Sequence, residues 1–137
     1  MTKVTPINEE YVHAGKAIIS QTDLSGKIIY ANSAFYEASG YANEQVIGST
    51  YDIIRHPDMP KIIFEKLWHS INDGQAWTGL VKNLRSDGRY YWDDLSVLPV
   101  KNDDGEIVSF ISVSRQASKK NIQENEVLYQ KMLSSEV

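Results

Sequence analysis

Ten consecutive residues, Asp52-Ile53-Ile54-Arg55-His56-Pro57-Asp58-Met59-Pro60-Lys61, set cationic Arg55, His56 and Lys61 beside Asp58 and two prolines. Each proline fixes its own φ and drives the residue before it out of the α region. His56 and Met59 are therefore extended, and a helix starts only at about Asp58 to Pro60. Free N–H groups at a helix start, with an arginine and a histidine beside them, suit an anion such as a phosphate or carboxylate. A purely structural role accounts for the same residues: Asp58 caps the helix and Arg55 pairs with a nearby acid.

A second constellation lies in Trp77-Thr78-Gly79-Leu80-Val81-Lys82-Asn83-Leu84. Alternation along a strand puts Trp77, Gly79, Val81 and Asn83 on one face and Thr78, Leu80, Lys82 and Leu84 on the other. The first face offers an aromatic plane, space at a glycine, an aliphatic wall and an amide that both donates and accepts. These suit a flat heterocycle, stacked on its faces and hydrogen-bonded at its edge. The alternative is that Trp77 belongs to the core and Asn83 satisfies a neighbouring backbone group. Leu80 and Leu84 imply a cover on the opposite face, from the N-terminal segment, the C-terminal helix or a second subunit.

Other polar residues carry less chemistry. Asp93-Asp94, the serines and His13, His56 and His69 form no nucleophile and base pair at a defensible spacing, so the chain reads as a non-enzyme. Asp103-Asp104 is a turn rather than a metal site. The absence of cysteine excludes disulfides, thiolate metal sites, cysteine nucleophiles and flavin–thiol photoadducts. A net charge of −4 argues against a nucleic-acid partner. The N-terminus lacks the apolar core of a signal peptide and no apolar run reaches the ~20 residues of a membrane span, so a cytoplasmic location is expected, without membrane insertion.

The elements that must position these groups follow from the periodicity. Residues 1–14 are a tail or a short lead-in helix around Glu9 to Ala14. Ala17 to Thr22 and Lys27 to Tyr30 read as strands joined through Asp23-Leu24-Ser25-Gly26. Short helices start at Asn32 and Asn43 and stop at Gly40 and Gly48. Met59, Ile63, Phe64, Leu67, Trp68 and Ile71 then make an amphipathic helix ending near Gly74. Trp77 to Leu84, Tyr90 to Val100 and Ile107 to Ser114 are strands joined by Asp-Gly turns. Ser118 to Ser134 is a final helix with Ile122, Val127, Leu128, Met132 and Leu133 on its apolar side. The whole is one α+β domain at 137 residues, a five-stranded antiparallel sheet with short helices over one face and a C-terminal helix. Tyr91 shares parity with Leu95 and Val97 and Trp92 with Leu98; sequence leaves open which set faces inward.

Several blocks together resemble a PAS domain: Asp23-Leu24-Ser25-Gly26-Lys27-Ile28-Ile29-Tyr30-Ala31-Asn32, Phe35-x-x-x-Ser39-Gly40-Tyr41 and Glu44-x-Val46-Ile47-Gly48. More narrowly, Arg55-His56-Pro57-Asp58-Met59-Pro60-Lys61, Phe64-x-x-x-Trp68, Gly74-x-x-Trp77-x-Gly79-x-Val81-Lys82-Asn83 and Asp87-Gly88-x-Tyr90-Tyr91-Trp92 are similar to the N-terminal PAS sensor of bacterial aerotaxis and energy-taxis receptors. The resemblance divides the chain into a lead-in cap at 1–14, a sensor domain at 15–116 and a signalling helix at 117–137. It implies FAD bound non-covalently at or near Asn32, Arg55, His56, Asp58, Trp68, Trp77 and Asn83. It also implies a redox or oxygen signal passed to the signalling or HAMP-type domain of a chemotaxis receptor, in cis or in trans, from a homodimer. The family more often has His and Asn where this chain has Tyr51 and Asp52, a capping Thr at Ala42, and a more apolar or basic pair at Asp93-Asp94. A haem-binding gas sensor using His56 or His69, and a cofactor-free dimerisation module, are the other readings.

Overall fold

The computed structural model describes residues 3–12 and 14–136. Its elements are β1 (Ile18–Thr22), β2 (Ile28–Ala31), α1 (Ser33–Ser39), α2 (Asn43–Val46), a 3-10 turn (Tyr51–Ile54), α3 (Lys61–Asn72), β3 (Trp77–Leu84), β4 (Tyr90–Lys101), β5 (Ile107–Gln116) and α4 (Lys119–Ser134). The strands form one antiparallel sheet in the order β2-β1-β5-β4-β3, the expected α+β arrangement.

Local chemistry sets the boundaries. At the β1–β2 turn, Asp23 Oδ1 accepts from the backbone N–H groups of Ser25 and Lys27, and Gly26 takes φ 91°. Asn32 caps α1 by accepting from Phe35 N–H at 3.1 Å, and left-handed Gly40 ends it. In the β4–β5 turn Asn102 Oδ1 accepts from the N–H groups of Asp104 and Glu106.

Strand register fixes the faces. Asn83 lies opposite Tyr91, Val81 opposite Asp93, and Gly79 opposite Leu95. Leu95 in turn faces Ser114, Val97 faces Ser112 and Pro99 faces Phe110 on β5. Phe110, Ser112 and Ser114 continue to Thr22, Ser20 and Ile18 on β1. This face meets α1, the 3-10 turn and α3, so Tyr91 points inward and Trp92 outward. On the outer face α4 lies against β3: Tyr129 is 6% exposed and its hydroxyl donates to the Leu80 carbonyl at 2.7 Å.

Three expectations are corrected. Residues 7–11 are not helical but form an extended strap along the β3–β4 hairpin. Ile7 N–H donates to Gly88 O, Tyr90 N–H to Glu9 O, and Tyr11 N–H to Tyr90 O at 2.7 Å. A six-residue helix cannot sustain itself, whereas the hairpin offers backbone groups to pair. His13 lies outside the described residues. The long helix starts at Lys61 with Pro60 before it, so Asp58 is not its cap. On α4, Val127 and Leu128 are exposed, while Ile122, Tyr129 and Met132 pack inward. At 3.6 residues per turn, Ile122 and Tyr129 stack on one side and Val127 falls away from it.

Candidate functional site

Between the inner face of the sheet and α3 lies a cavity of about 350 Å³. Val81, Asn83, Tyr91, Asp93, Leu95 and Val97 of β3 and β4 line one side. Phe110, Ser112 and Ser114 of β5 continue that wall. Ile54, Phe64, Leu67, Trp68 and Ile71 close it from above, with Gly26, Asp52 and Arg55 also lining it. The lining is mainly apolar, and the volume falls in the range of ordinary small-molecule sites.

Several of its polar groups are held by specific contacts. Asn83 Nδ2 donates to Asp93 Oδ2 at 3.2 Å, and both residues are buried. Tyr51 reaches from the 3-10 turn to the sheet: its hydroxyl is 2.6 Å from Ser20 Oγ and donates to Ser112 Oγ at 3.1 Å. Burial raises the Tyr51 phenol pKa, against the opposing pull of the two serine hydrogen bonds. Tyr91, 3% exposed, is raised well above the ordinary phenol value, first by burial and then by the negative charge of Asp93.

Of the seven residues singled out in the sequence, Arg55, Trp68 and Asn83 line the cavity. Backbone pairing between Arg55 and Asn83 brings the elbow against β3. The Arg55 guanidinium lies 4.1 Å over the Phe64 ring and 3.8 Å from Asp52 Oδ1. Trp68 packs edge-on to Phe110 and lies over Gly26, where an added Cβ would sit 3.0 Å from its indole.

The other four lie outside the lining. Asn32 joins α1 to β1: Oδ1 accepts from Ile19 N–H and Phe35 N–H, and Nδ2 donates to Ala17 O. Trp77 shares a face with Asn83, but its indole lies over Gly79, where an added Cβ would be 2.4 Å from the ring. The space left by the glycine is filled by the indole of the same strand.

His56 and Asp58 form a clamp beside the outward-facing Lys82 of β3. His56 is 4% exposed, and its Nδ1 accepts from Asp58 N–H at 3.0 Å. Desolvation lowers its pKa, the charge of Lys82 lowers it further, and Asp58 partly offsets both. Lys82 Nζ lies 3.0 Å from Asp58 Oδ2 and 4.6 Å from the Tyr90 ring centroid.

Sequence reasoning passed over Tyr51, Asp93 and the serines as members of one wall. The available signal was Ser112 and Ser114 alternating with Ile111 and Val113 in an otherwise apolar strand, matched by Ser20 and Thr22 on β1. Polar residues on the face that should be core mark a lining rather than packing.

The arrangement accommodates a planar, largely apolar ring system. Aliphatic and aromatic walls flank it, an amide and a carboxylate meet its edge, and a guanidinium, a third exposed, lies where an anionic tail could leave. Flavin chemistry fits these donors. No histidine lines the cavity among the described residues, so the haem reading has no axial ligand in it, and those residues hold no cluster of potential metal ligands.

A sequence profile of the PAS fold matches residues 28–114. The chain is 36% identical over 112 residues to the aerotaxis receptor of Escherichia coli strain K12, covering 82% of this chain and 22% of that protein. It is 32% identical over 107 residues to a nitrogen fixation regulatory protein of Klebsiella oxytoca, covering 78% and 22%. The chain thus spans about a fifth of the length of these curated relatives. Among solved structures, the light state of the blue-light photoreceptor Aureochrome1 LOV superposes with a TM-score of 0.71 at 25% identity, covering 90% of this chain and 91% of that one.

Proposed function

Because the chain belongs to the PAS-fold family of sensory domains, we propose that it holds FAD non-covalently in this cavity and reports the cofactor's redox state, as an oxygen or energy-taxis sensor. The observation that carries the reading is the internal cavity with one amide and carboxylate pair in a mainly apolar wall. The similarity to an aerotaxis receptor supports the same choice. Light sensing through a flavin–thiol bond is disfavoured because the chain has no cysteine to supply the thiol.

Bound FAD supplies reversible electron uptake at its ring. Asn83 orients the ring edge, Trp68 and Phe64 exclude water, and Arg55 holds the tail. His56 and Asp58 act behind Arg55, keeping the elbow in place. A change in the hydrogen bonding of Asn83 acts on β3, whose Leu80 carbonyl holds Tyr129 of α4. That gives a route of three residues along one strand from the cavity to the outer helix, a differential contact of the kind population shifts require. The output is a HAMP-type or other chemotaxis signalling domain, in cis or in trans, and the domain works in the cytoplasm.

The test is the absorption spectrum of the purified protein, with release and chromatography of any chromophore. Paired bands near ~370 and ~450 nm and release of FAD are expected. A colourless protein, or a haem Soret band, would refute the reading. The second reading, a dimerisation module, draws on Ile19, Leu98, Ile111 and Val113, which share the outer face away from α4; Ile19 and Leu98 are 36% and 44% exposed. It predicts a colourless dimer.

A further inference from the structure

Tyr51 ties the 3-10 turn that it opens to the middle of the sheet. Its hydroxyl gives its one hydrogen to Ser112 Oγ of β5 at 3.1 Å, so in the 2.6 Å contact with Ser20 Oγ of β1 the serine is the donor. Both serines are buried. At the far end of the turn Arg55 donates its N–H to Asp52 O and pairs through its backbone with Asn83 of β3. The two anchors are well separated. Ser112 faces Val97, and Val97 faces Trp77, six residues before Asn83 on β3, or about 20 Å along that strand. The turn therefore crosses over the cavity instead of resting on one strand, and Tyr51, Asp52, Ile54 and Arg55 all line it. The Asp52 and Arg55 side chains are 80% and 32% exposed, so the turn borders the opening.

We propose that Tyr51 is a positioning residue: by tying the turn to β1 and β5 it fixes where the Arg55 guanidinium sits at the opening, and so gives the cavity its preference for a phosphorylated flavin over the unphosphorylated one. The inference rests on the flavin reading above. A guanidinium recognises phosphate through paired hydrogen bonds whose strength depends on direction, so the backbone that carries it must be held. The Arg55 side chain meets the Phe64 ring at 4.1 Å and Asp52, on the same turn, at 3.8 Å. Neither contact ties the turn to the sheet. The Tyr51 hydroxyl holds its beginning and the Asn83 pairing holds its end. The ring of the ligand is met by Asn83, Phe64 and Trp68, which lie on β3 and α3, so loss of the tie falls mainly on the tail. Ser20 and Ser112 face each other across β1 and β5, so in Tyr51→Phe each can take the other as partner and the fold is kept.

The experiment measures dissociation constants for FAD, FMN and riboflavin by fluorescence titration into purified wild type, Tyr51→Phe, Arg55→Gln and the variant carrying both changes. FMN differs from riboflavin by its phosphate alone, so the ratio of their constants reads the contact with the tail. In Tyr51→Phe the constants for FAD and FMN rise about tenfold, the scale of one lost charge-assisted hydrogen bond, while that for riboflavin stays within about twofold of wild type. Beside Arg55→Gln, Tyr51→Phe adds no further loss for FAD, as two residues acting through one contact require. A variant with Ser20→Ala and Ser112→Ala keeps the phenol and removes both its partners. It must shift the ratio in the same direction, which guards against a misfolded Tyr51→Phe. An equal loss for all three flavins, no loss at all, or the full FAD loss retained beside Arg55→Gln overturns the inference and leaves the flavin reading intact. Failure of wild type to bind any flavin overturns both.

Discussion

Lys82 and Asn83 are adjacent on β3, as are Tyr90 and Tyr91 on β4, yet their side chains belong to two different polar clusters. Lys82 and Tyr90 face outward and close a clamp with His56 and Asp58. Asn83 and Tyr91 face inward and, with Asp93, make one polar cluster of the cavity wall. The outer cluster is the Lys82–Asp58 ion pair beside the buried His56 ring and the Tyr90 ring, at the edge of the fold. The inner one is an amide, a phenol and a carboxylate in an apolar setting, where each unsatisfied or charged group has a large energetic effect. A period of two separates scaffold from chemistry, and the residues most conspicuous in the sequence, His56 and Asp58, fall on the scaffold side.

The largest expected effect is on stability. Trp77→Ala empties the space over Gly79, so it lowers unfolding free energy by about 2–3 kcal/mol, measured by urea denaturation. Its effect on FAD affinity is smaller than that of Asn83→Ala. Equal affinity losses in the two would return Trp77 to the cavity wall. Asn83→Ala removes the donor to Asp93 and costs about 1–2 kcal/mol of stability. It also weakens FAD binding by about tenfold or more in a fluorescence titration.

The outer clamp is testable through pH. The folded state holds His56 below its ordinary value of 6.5 through burial and the Lys82 charge. The unfolded chain therefore binds the proton more readily, and this contribution is complete above pH 6.5 and is lost as pH falls toward the lower folded value. Urea midpoints should decline between pH 7 and 5 with a slope that His56→Gln reduces; an unchanged slope would mean that His56 is not held neutral. The smallest effect belongs to Lys82→Met. Its partner Asp58 is more than half exposed, so stability changes by less than about 1 kcal/mol.

Much of this architecture was legible because local signals agree. Trp77 to Leu84 is read to the residue from its alternation and its flanking turns, and Asn32 and Gly40 mark both ends of α1. Asn83 is found by parity alone. The strap at residues 7–11 was not legible, because its bonds are to Gly88 and Tyr90, far away in sequence. For Trp77, parity gives the face of the side chain but not that a large ring folds along its own strand onto Gly79. Tyr51 joins the wall only because a 3-10 turn aims its hydroxyl at serines on β1 and β5, a contact across distant segments.

The claim that opposite faces of one strand divide binding from support is tested most directly by titrating FAD into purified wild type, Asn83→Ala and Lys82→Met under identical conditions. The account predicts about one FAD per wild-type chain, a marked loss of affinity in Asn83→Ala, and near wild-type affinity in Lys82→Met. Undiminished binding by Asn83→Ala, or an equal loss in Lys82→Met, would contradict it.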